Sequence, residues 1–100
     1  MRKITKEAVA AFMDGRDRSM GNTYVVKYDN GHYIEMFLHG NNIARRMGKK
    51  IEVRTCGYAT RTTMERLNGI PGVSVYQKKF QLYLNGKIWE NHSDWTEVKP

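Results

Sequence analysis

Threonine and basic side chains gather at the predicted start of a helix in the second half of this chain. Thr60, Thr62 and Thr63 surround Arg61. Free backbone N–H groups at a helix start, together with hydroxyl groups and a guanidinium, can hold a phosphate. The alternative interpretation is structural, with one threonine capping the helix and the others in strand-like positions. Both interpretations fit the sequence.

Further basic residues extend this candidate phosphate-binding surface along the chain. They lie in a predicted hairpin before the helix and on the outward side of the helix, where they could follow a nucleic-acid backbone. Tyr76, Tyr83 and Trp89 could stack on bases. A solvated sheet face with core aromatic residues would explain the same pattern. The candidate nucleic-acid site is Arg45, Arg46, Lys49, Lys50, Arg54, Thr60, Arg61, Thr62, Thr63 and Arg66.

The chain carries a large excess of positive charge. Lys and Arg number 17 against 10 Asp and Glu, which gives a formal net charge of +7 and a pI near 9.7. Each phosphate neutralised by Lys or Arg releases condensed counterions, so this composition favours polyanionic partners. We expect DNA or RNA as the partner, with an acidic surface of another protein as the alternative.

The residues offer little that could support catalysis. His32, His39 and His92 fall in or beside predicted turns, and none has a metal-ligand spacing to Cys56. The sequence has no paired-carboxylate motif and no glycine-rich phosphate motif. His39 and Cys56 could form a nucleophile pair only if folding brought them together. We therefore expect no enzyme, no metal site and no cofactor.

Cysteine content and hydropathy indicate the cytoplasm. The single cysteine, Cys56, excludes an internal disulfide framework and fits a reducing compartment. No apolar run approaches the ~20 residues needed to span a bilayer. The start of the chain also lacks the apolar core of a signal peptide. We expect no membrane partner.

The first predicted helix spans about Lys6–Asp14. Thr5 has the position of an N-cap, and Gly15 has the position of a residue that ends the helix. The following segment, residues 15–21, is polar and bounded by glycines. It is predicted to be a loop.

The second predicted helix begins near Thr62, because Thr62 and Glu65 have the spacing of a capping box. Asn68 and Gly69, followed by a proline, end it. Met64 and Leu67 lie on one face at helical spacing and should dock on a sheet. The two arginines of this helix are then expected to point outward.

Residues 23–28 and 32–38 alternate like the strands of a hairpin. A three-residue loop with Gly31 in the left-handed conformation would pair Val26 with Ile34. A two-residue turn would shift this pairing by one residue and mix the two faces. We therefore prefer the first register. It places these residues on one face: Tyr24, Val26, Tyr28, Ile34, Met36 and Leu38.

A second hairpin is predicted from residues 43–47 and 51–56, with its turn at residues 48–50. The same register logic sets Arg46 opposite Glu52 and leaves both on an exposed face. With two lysines at the tip, this hairpin is the most basic predicted element.

The remaining strands, residues 73–77 and 80–84, lead into an Asn85-Gly86 turn and a last short strand. The chain is predicted to be an α+β domain with a mostly antiparallel sheet of about six strands and two short helices. The order is helix, four strands, helix, and two or three strands. We expect residues 1–90 to form this domain and residues 91–100 a polar C-terminal tail.

Three motifs resemble small uncharacterised proteins of tailed bacteriophages and prophages of enteric bacteria. They are LHGNNIA (38–44), TTMERLNGI (62–70) and YQKKFQLYLNGKIW (76–89). The resemblance covers most of residues 22–89 and implies a phage accessory protein in the bacterial cytoplasm. Such a protein would bind nucleic acid, or would bind and inhibit or redirect a host transcription or defence protein. The resemblance brings no binding residues that could be transferred.

Overall fold

The computed structural model describes residues 2–98. Within them, two α-helices, one short 3-10 helix (Asp29–Gly31) and nine strands are present. The elements are α1 (Lys3–Asp14), β1 (Arg18–Met20), β2 (Thr23–Tyr28), β3 (Tyr33–Leu38), β4 (Asn41–Met47), β5 (Lys50–Val53), α2 (Arg61–Asn68), β6 (Val75–Lys78), β7 (Gln81–Leu84), β8 (Lys87–Ile88) and β9 (Thr96–Val98).

The strands form two antiparallel sheets. The larger has the order β1-β2-β3-β4-β5-β9, and the smaller has the order β6-β7-β8. Both helices pack against strands of the larger sheet, and α2 also contacts β6. The predicted α+β class with a mostly antiparallel sheet is confirmed.

Two strands lie where the sequence predicted none. The expected loop at residues 15–21 contains β1, which pairs with β2. The expected tail at residues 91–100 contains β9, which pairs with β5 and buries Val98. These strands have three residues each, too few for alternation to stand out in a polar segment. Residues 99 and 100 lie outside the described part of the chain.

Helix α1 begins three residues earlier than predicted. Thr5 is not an N-cap, because the helix starts at Lys3 and the N-cap residue Arg2 makes no side-chain capping bond. Thr5 instead lies in the first turn and is fully buried. The predicted end is correct: Gly15 has a left-handed φ of 73° and its N–H bonds back to Ala11.

The register of the first hairpin is the one that the sequence argument rejected. Val26 pairs with Glu35, and Val25 pairs with Met36. Gly31 is left-handed, with φ of 92°, but the turn has four residues rather than three, because His32 is also outside the strands. A four-residue loop shifts the strand pairing by one residue relative to a three-residue loop. The side chains predicted to share one face of the sheet are therefore divided between its two faces.

The second hairpin is shifted in the same way. Arg45, not Arg46, pairs with Glu52, and Met47 pairs with Lys50 across a two-residue turn. Arg46 consequently lies on the helix-covered side of the sheet. A β-bulge between β3 and β4 accommodates Ile43, which is buried.

The two helices meet where α2 ends. A Cβ atom on Gly69 would lie 2.7 Å from the Cγ2 atom of Thr5 and 2.8 Å from the Cγ2 atom of Val9. Both distances are far below van der Waals contact, so the missing side chain of Gly69 allows the close approach. Leu67 is fully buried on this side of α2, as its spacing predicted.

Candidate nucleic-acid interface

The fold itself uses several of the ten residues predicted to bind nucleic acid. Arg46 is the first. Its guanidinium donates to the carbonyl oxygens of Phe12 (3.2 Å) and Met13 (3.0 Å) at the end of α1, and to that of Gly48 (2.8 Å). A helix leaves its last carbonyl groups without partners inside the helix, and a cation there also complements the helix dipole. Arg46 therefore anchors α1 to the β4–β5 hairpin.

Arg66 was predicted to point outward, and this prediction is wrong. Its side chain is 1% exposed. It donates to the hydroxyl oxygens of Thr23 (3.0 Å) and Thr5 (2.8 Å), and lies 3.5 Å from the Glu65 carboxylate. Burial lowers the pKa of Arg66, and the Glu65 charge opposes this shift. Arg66 is thus a buried link between α2, α1 and β2.

Arg45 and Arg54 lie on the face of the large sheet that the helices do not cover. Their Cζ atoms are 4.2 Å and 4.1 Å from the centre of the Trp95 ring. Arg45 also pairs with Glu52 at 2.8 Å, and Arg54 donates to the Asn42 carbonyl oxygen at 2.8 Å. The two guanidinium groups hold the segment before β9 on the sheet by cation–π contacts.

The predicted phosphate site at the start of α2 contains a cap. Thr60 rather than Thr62 is the N-cap, and its hydroxyl accepts from the Thr63 N–H at 3.1 Å. The hydroxyls of Thr60 and Thr63 are 3.0 Å apart and bond to each other. Thr62 is half-buried in the first turn. The capping interpretation therefore accounts for Thr60 and Thr63.

Three of the predicted residues are exposed cations. Lys49 and Lys50 stand at the tip of the β4–β5 hairpin, and Arg61 stands on the first turn of α2. Arg61 lines a shallow groove of about 370 Å³ between α2 and β6 that also includes Glu65, Tyr76 and Gln77. This groove leads from the predicted site to the small sheet.

The small sheet has one buried face and one exposed face. The buried face is formed by the side chains of Val75, Leu82 and Leu84. On the other face, Tyr76 and Tyr83 are paired across the strands and stack, with ring centres 5.0 Å apart and planes at 7°. The predicted stacking residue Trp89 cannot offer its ring to a base, because it is 4% exposed and its Nε1 donates to Thr96.

Lysine and apolar side chains surround this tyrosine pair. Ile88 pairs with Tyr83 and is 57% exposed. Lys78 pairs with Gln81 at the end of the hairpin, on the same face as the tyrosines. We call the residues on and beside this face the small-sheet surface. It consists of Tyr76, Lys78, Lys79, Phe80, Gln81, Tyr83 and Ile88.

The turn of this hairpin is unusual. Lys79 and Phe80 both have positive φ, 51° and 67°. Two-residue turns with this backbone strongly favour Asn-Gly, and a side chain in the left-handed region costs roughly 1–2 kcal/mol per residue. The next turn of the same sheet has the favoured pair, Asn85 and Gly86. The ring of Phe80 is 97% exposed, so no packing offsets the strain.

Sequence reasoning identified Tyr76, Tyr83 and Arg61 but missed the lysines of the small-sheet surface. A signal was present in the charge pattern. Residues 67–89 contain three lysines and no Asp or Glu. The hairpin tip is therefore cationic, without nearby carboxylates in its own segment.

The uncovered face of the large sheet carries a second group of aromatic rings. The rings of Tyr24 and Phe37 stack with their centres 4.8 Å apart. The ring centres of Tyr28 and Tyr33 are 5.5 Å apart. Glu35 lies among them and accepts from the Tyr33 hydroxyl at 2.8 Å. Burial and this hydrogen bond raise the pKa of Tyr33. Arg45 lies between Glu35 and Glu52 across the strands, so this face carries charges of both signs.

Residues 2–98 hold no cluster of three side chains suited to a metal ion. The Cys56 thiol donates to the Asn42 carbonyl oxygen at 3.2 Å, so its hydrogen bond goes to the backbone rather than to His39. In the same range, no helix has the length and apolar character needed to cross a membrane.

Comparisons with known proteins identify a family. A family model described as Kyanoviridae Gp96 protein matches residues 1–99. The chain therefore belongs to this phage family, and the phage assignment predicted from the motifs is confirmed. Comparison with curated proteins and with solved structures found no significant match.

Proposed function

We propose that this phage-family protein is an accessory protein that binds nucleic acid through its small-sheet surface. The observation that carries the proposal is the combination, on one hairpin, of a stacked tyrosine pair, of which Tyr76 is exposed, and two lysines, in a segment without carboxylates. Aromatic rings offer platforms for bases, and lysines neutralise phosphates. A nucleic-acid strand fits both kinds of contact close together, because every nucleotide carries one base and one phosphate on the same sugar.

The geometry suggests how a strand would be held. Tyr76 is 43% exposed, so one face of its ring is open while the other rests on Tyr83. A base stacking there would bring its sugar-phosphate backbone beside Lys78 and Lys79 at the tip. At the other end of β6, Arg61 lines the groove that begins at Tyr76 and would contact a further phosphate.

The proposal is tested by measuring the affinity of the protein for labelled single- and double-stranded DNA and RNA at two salt concentrations. We expect affinity to fall steeply as salt rises, because phosphate contacts release counterions. Tyr76→Ala should weaken binding by about 5- to 150-fold, the range for loss of one stacked base. Absence of salt-sensitive binding by the parent protein would contradict the proposal.

Tyr28 provides a matched control. It is 44% exposed, against 43% for Tyr76, and it also lies against a second tyrosine. It belongs to the large sheet, so Tyr28→Ala should leave affinity unchanged. Weakening by Tyr28→Ala, with no effect of Tyr76→Ala, would move the interface to the uncovered face of the large sheet.

A second candidate function is docking on a host transcription or defence protein, which the phage protein would inhibit or redirect. The uncovered face of the large sheet favours it, because aromatic side chains are enriched at protein interfaces. A pull-down from nuclease-treated host lysate tests this candidate. A single stoichiometric host protein, absent when Tyr28→Ala is the bait, would support it. Either function would be carried out in the cytoplasm of the host bacterium, for which enteric bacteria remain our expectation.

A further inference from the structure

The phenylalanine at the tip of the β6–β7 hairpin does not contribute to the packing of the fold. Phe80 is 97% exposed and has a φ of 67°. Its ring packs on no core residue, and its backbone conformation is one that glycine adopts more easily. The Asn85-Gly86 turn in the same sheet has the residues that this backbone favours. Exposed rings held on strained backbone are candidates for a functional role.

The exposure of the ring distinguishes it from the tyrosines. Tyr76 and Tyr83 lie flat on each other, so each offers at most one face to a base. Phe80 projects from the turn, and both faces of its ring are open. A ring with two open faces can lie between two stacked groups rather than on one of them.

We propose that Phe80 is a wedge that inserts between adjacent base pairs of a nucleic-acid duplex. Lys78 and Lys79 would contact the phosphates beside the opened step. This inference rests on the proposed function and specifies its ligand as a duplex. Phenylalanine is among the apolar side chains that proteins insert between base steps, and the insertion unstacks and bends the duplex.

The positive charge next to Phe80 favours a duplex, rather than an apolar pocket on a protein, as the ligand. The two lysines immediately precede Phe80, and the nearest acidic residues along the chain are Glu65 and Glu90. Insertion into an apolar pocket would bring both ammonium groups against the rim of that pocket, where they would lose water without an assured partner. A duplex presents a phosphate on each side of every base step.

Two fluorescence readouts on one duplex test the wedge. A central 2-aminopurine reports unstacking of the bases, and energy transfer between dyes on the two ends reports bending. The parent protein should raise the 2-aminopurine signal and bring the ends closer together. Phe80→Gly should abolish both changes and weaken duplex binding by roughly tenfold, while the salt slope stays the same because the lysines remain. Phe80→Leu should retain the distortion, because leucine is also an effective wedge.

Thermal unfolding of the same variants separates loss of the wedge from loss of the fold. Phe80→Gly should raise the unfolding midpoint by about 4 °C, because glycine relieves the positive φ. Salt-sensitive duplex binding without distortion by the parent, or equal distortion by Phe80→Gly, would overturn the wedge and leave the proposed function standing. No binding to any nucleic acid, with a host protein captured only when Phe80 is present, would overturn both.

Discussion

Replacement of Arg66 by methionine, compared with replacement of Thr5 by valine, tests whether Arg66 has a structural role. The Arg66 guanidinium is buried with its N–H groups on the hydroxyls of Thr5 and Thr23. Thr5 donates its own proton to the Glu65 carboxylate. The two substitutions remove opposite halves of one interaction, so their costs should differ.

The cost of each substitution in free energy of unfolding follows from the contacts that it removes. Thr5→Val leaves a buried guanidinium without its 2.8 Å acceptor, and a hydrogen bond to a charged group contributes about 1.5–3 kcal/mol. Glu65 loses a donor as well, so we expect a total cost near the upper end of that range. Arg66→Met removes the buried charge together with its desolvation penalty. The Glu65 carboxylate that it leaves is 27% exposed and keeps its hydrogen bond from Thr5, so we expect a smaller cost, about 1 kcal/mol.

Urea denaturation of the two single variants and the double variant measures these differences. The double variant Thr5→Val/Arg66→Met should be more stable than Thr5→Val alone, because no unpaired guanidinium remains. A cost for Arg66→Met equal to or above that of Thr5→Val would refute the reasoning. The affinity of Arg66→Met for nucleic acid should match that of the parent, whereas the sequence-based site predicts weaker binding.

Substitutions at the start of α2, at its end and in the first hairpin turn test the local geometry by their effect on the free energy of unfolding. Thr60→Ala should cost about 1 kcal/mol as loss of an N-cap, whereas Thr62→Ala should cost much less, and the reverse order would restore the predicted capping box. Gly69→Ala should cost about 1–3 kcal/mol through overpacking against Thr5 and Val9, and a neutral result would mean that the helices are not so close. Gly31→Val should cost roughly 1–2 kcal/mol because its φ is 92°, with Gly31→Asn milder; equal stabilities would exclude the left-handed turn.

The fold class could be predicted because hydrophobic period and turn residues act locally. Gly15 ended α1, and Leu67 packed inward, as the sequence indicated. Register could not be predicted by the same means. It depended on whether the first turn had three or four residues, and the participation of His32 in that turn leaves no mark on the hydrophobic pattern.

The candidate site was predicted in part, for a different reason. Arginine at a surface and arginine in a buried network look alike in sequence, because the partners are distant along the chain. Arg66 bonds to residues 43 and 61 positions away, and Arg46 reaches a helix end 33 and 34 positions away. Phe80 was predicted to be the first residue of a strand, since aromatic residues favour strands. Only the pairing of Lys78 with Gln81 places it in the turn.

The dependence of duplex affinity on salt, measured for two matched pairs of lysines, tests the central claim most directly. Both pairs are exposed at hairpin tips, one on each sheet. Lys78→Ala/Lys79→Ala should lower the magnitude of the salt slope by up to about two, since each lysine that neutralises a phosphate adds about one to it, and Lys49→Ala/Lys50→Ala should leave it unchanged. A slope lowered only by the Lys49 and Lys50 substitutions, or a parent slope near zero, would contradict nucleic-acid binding by the small-sheet surface.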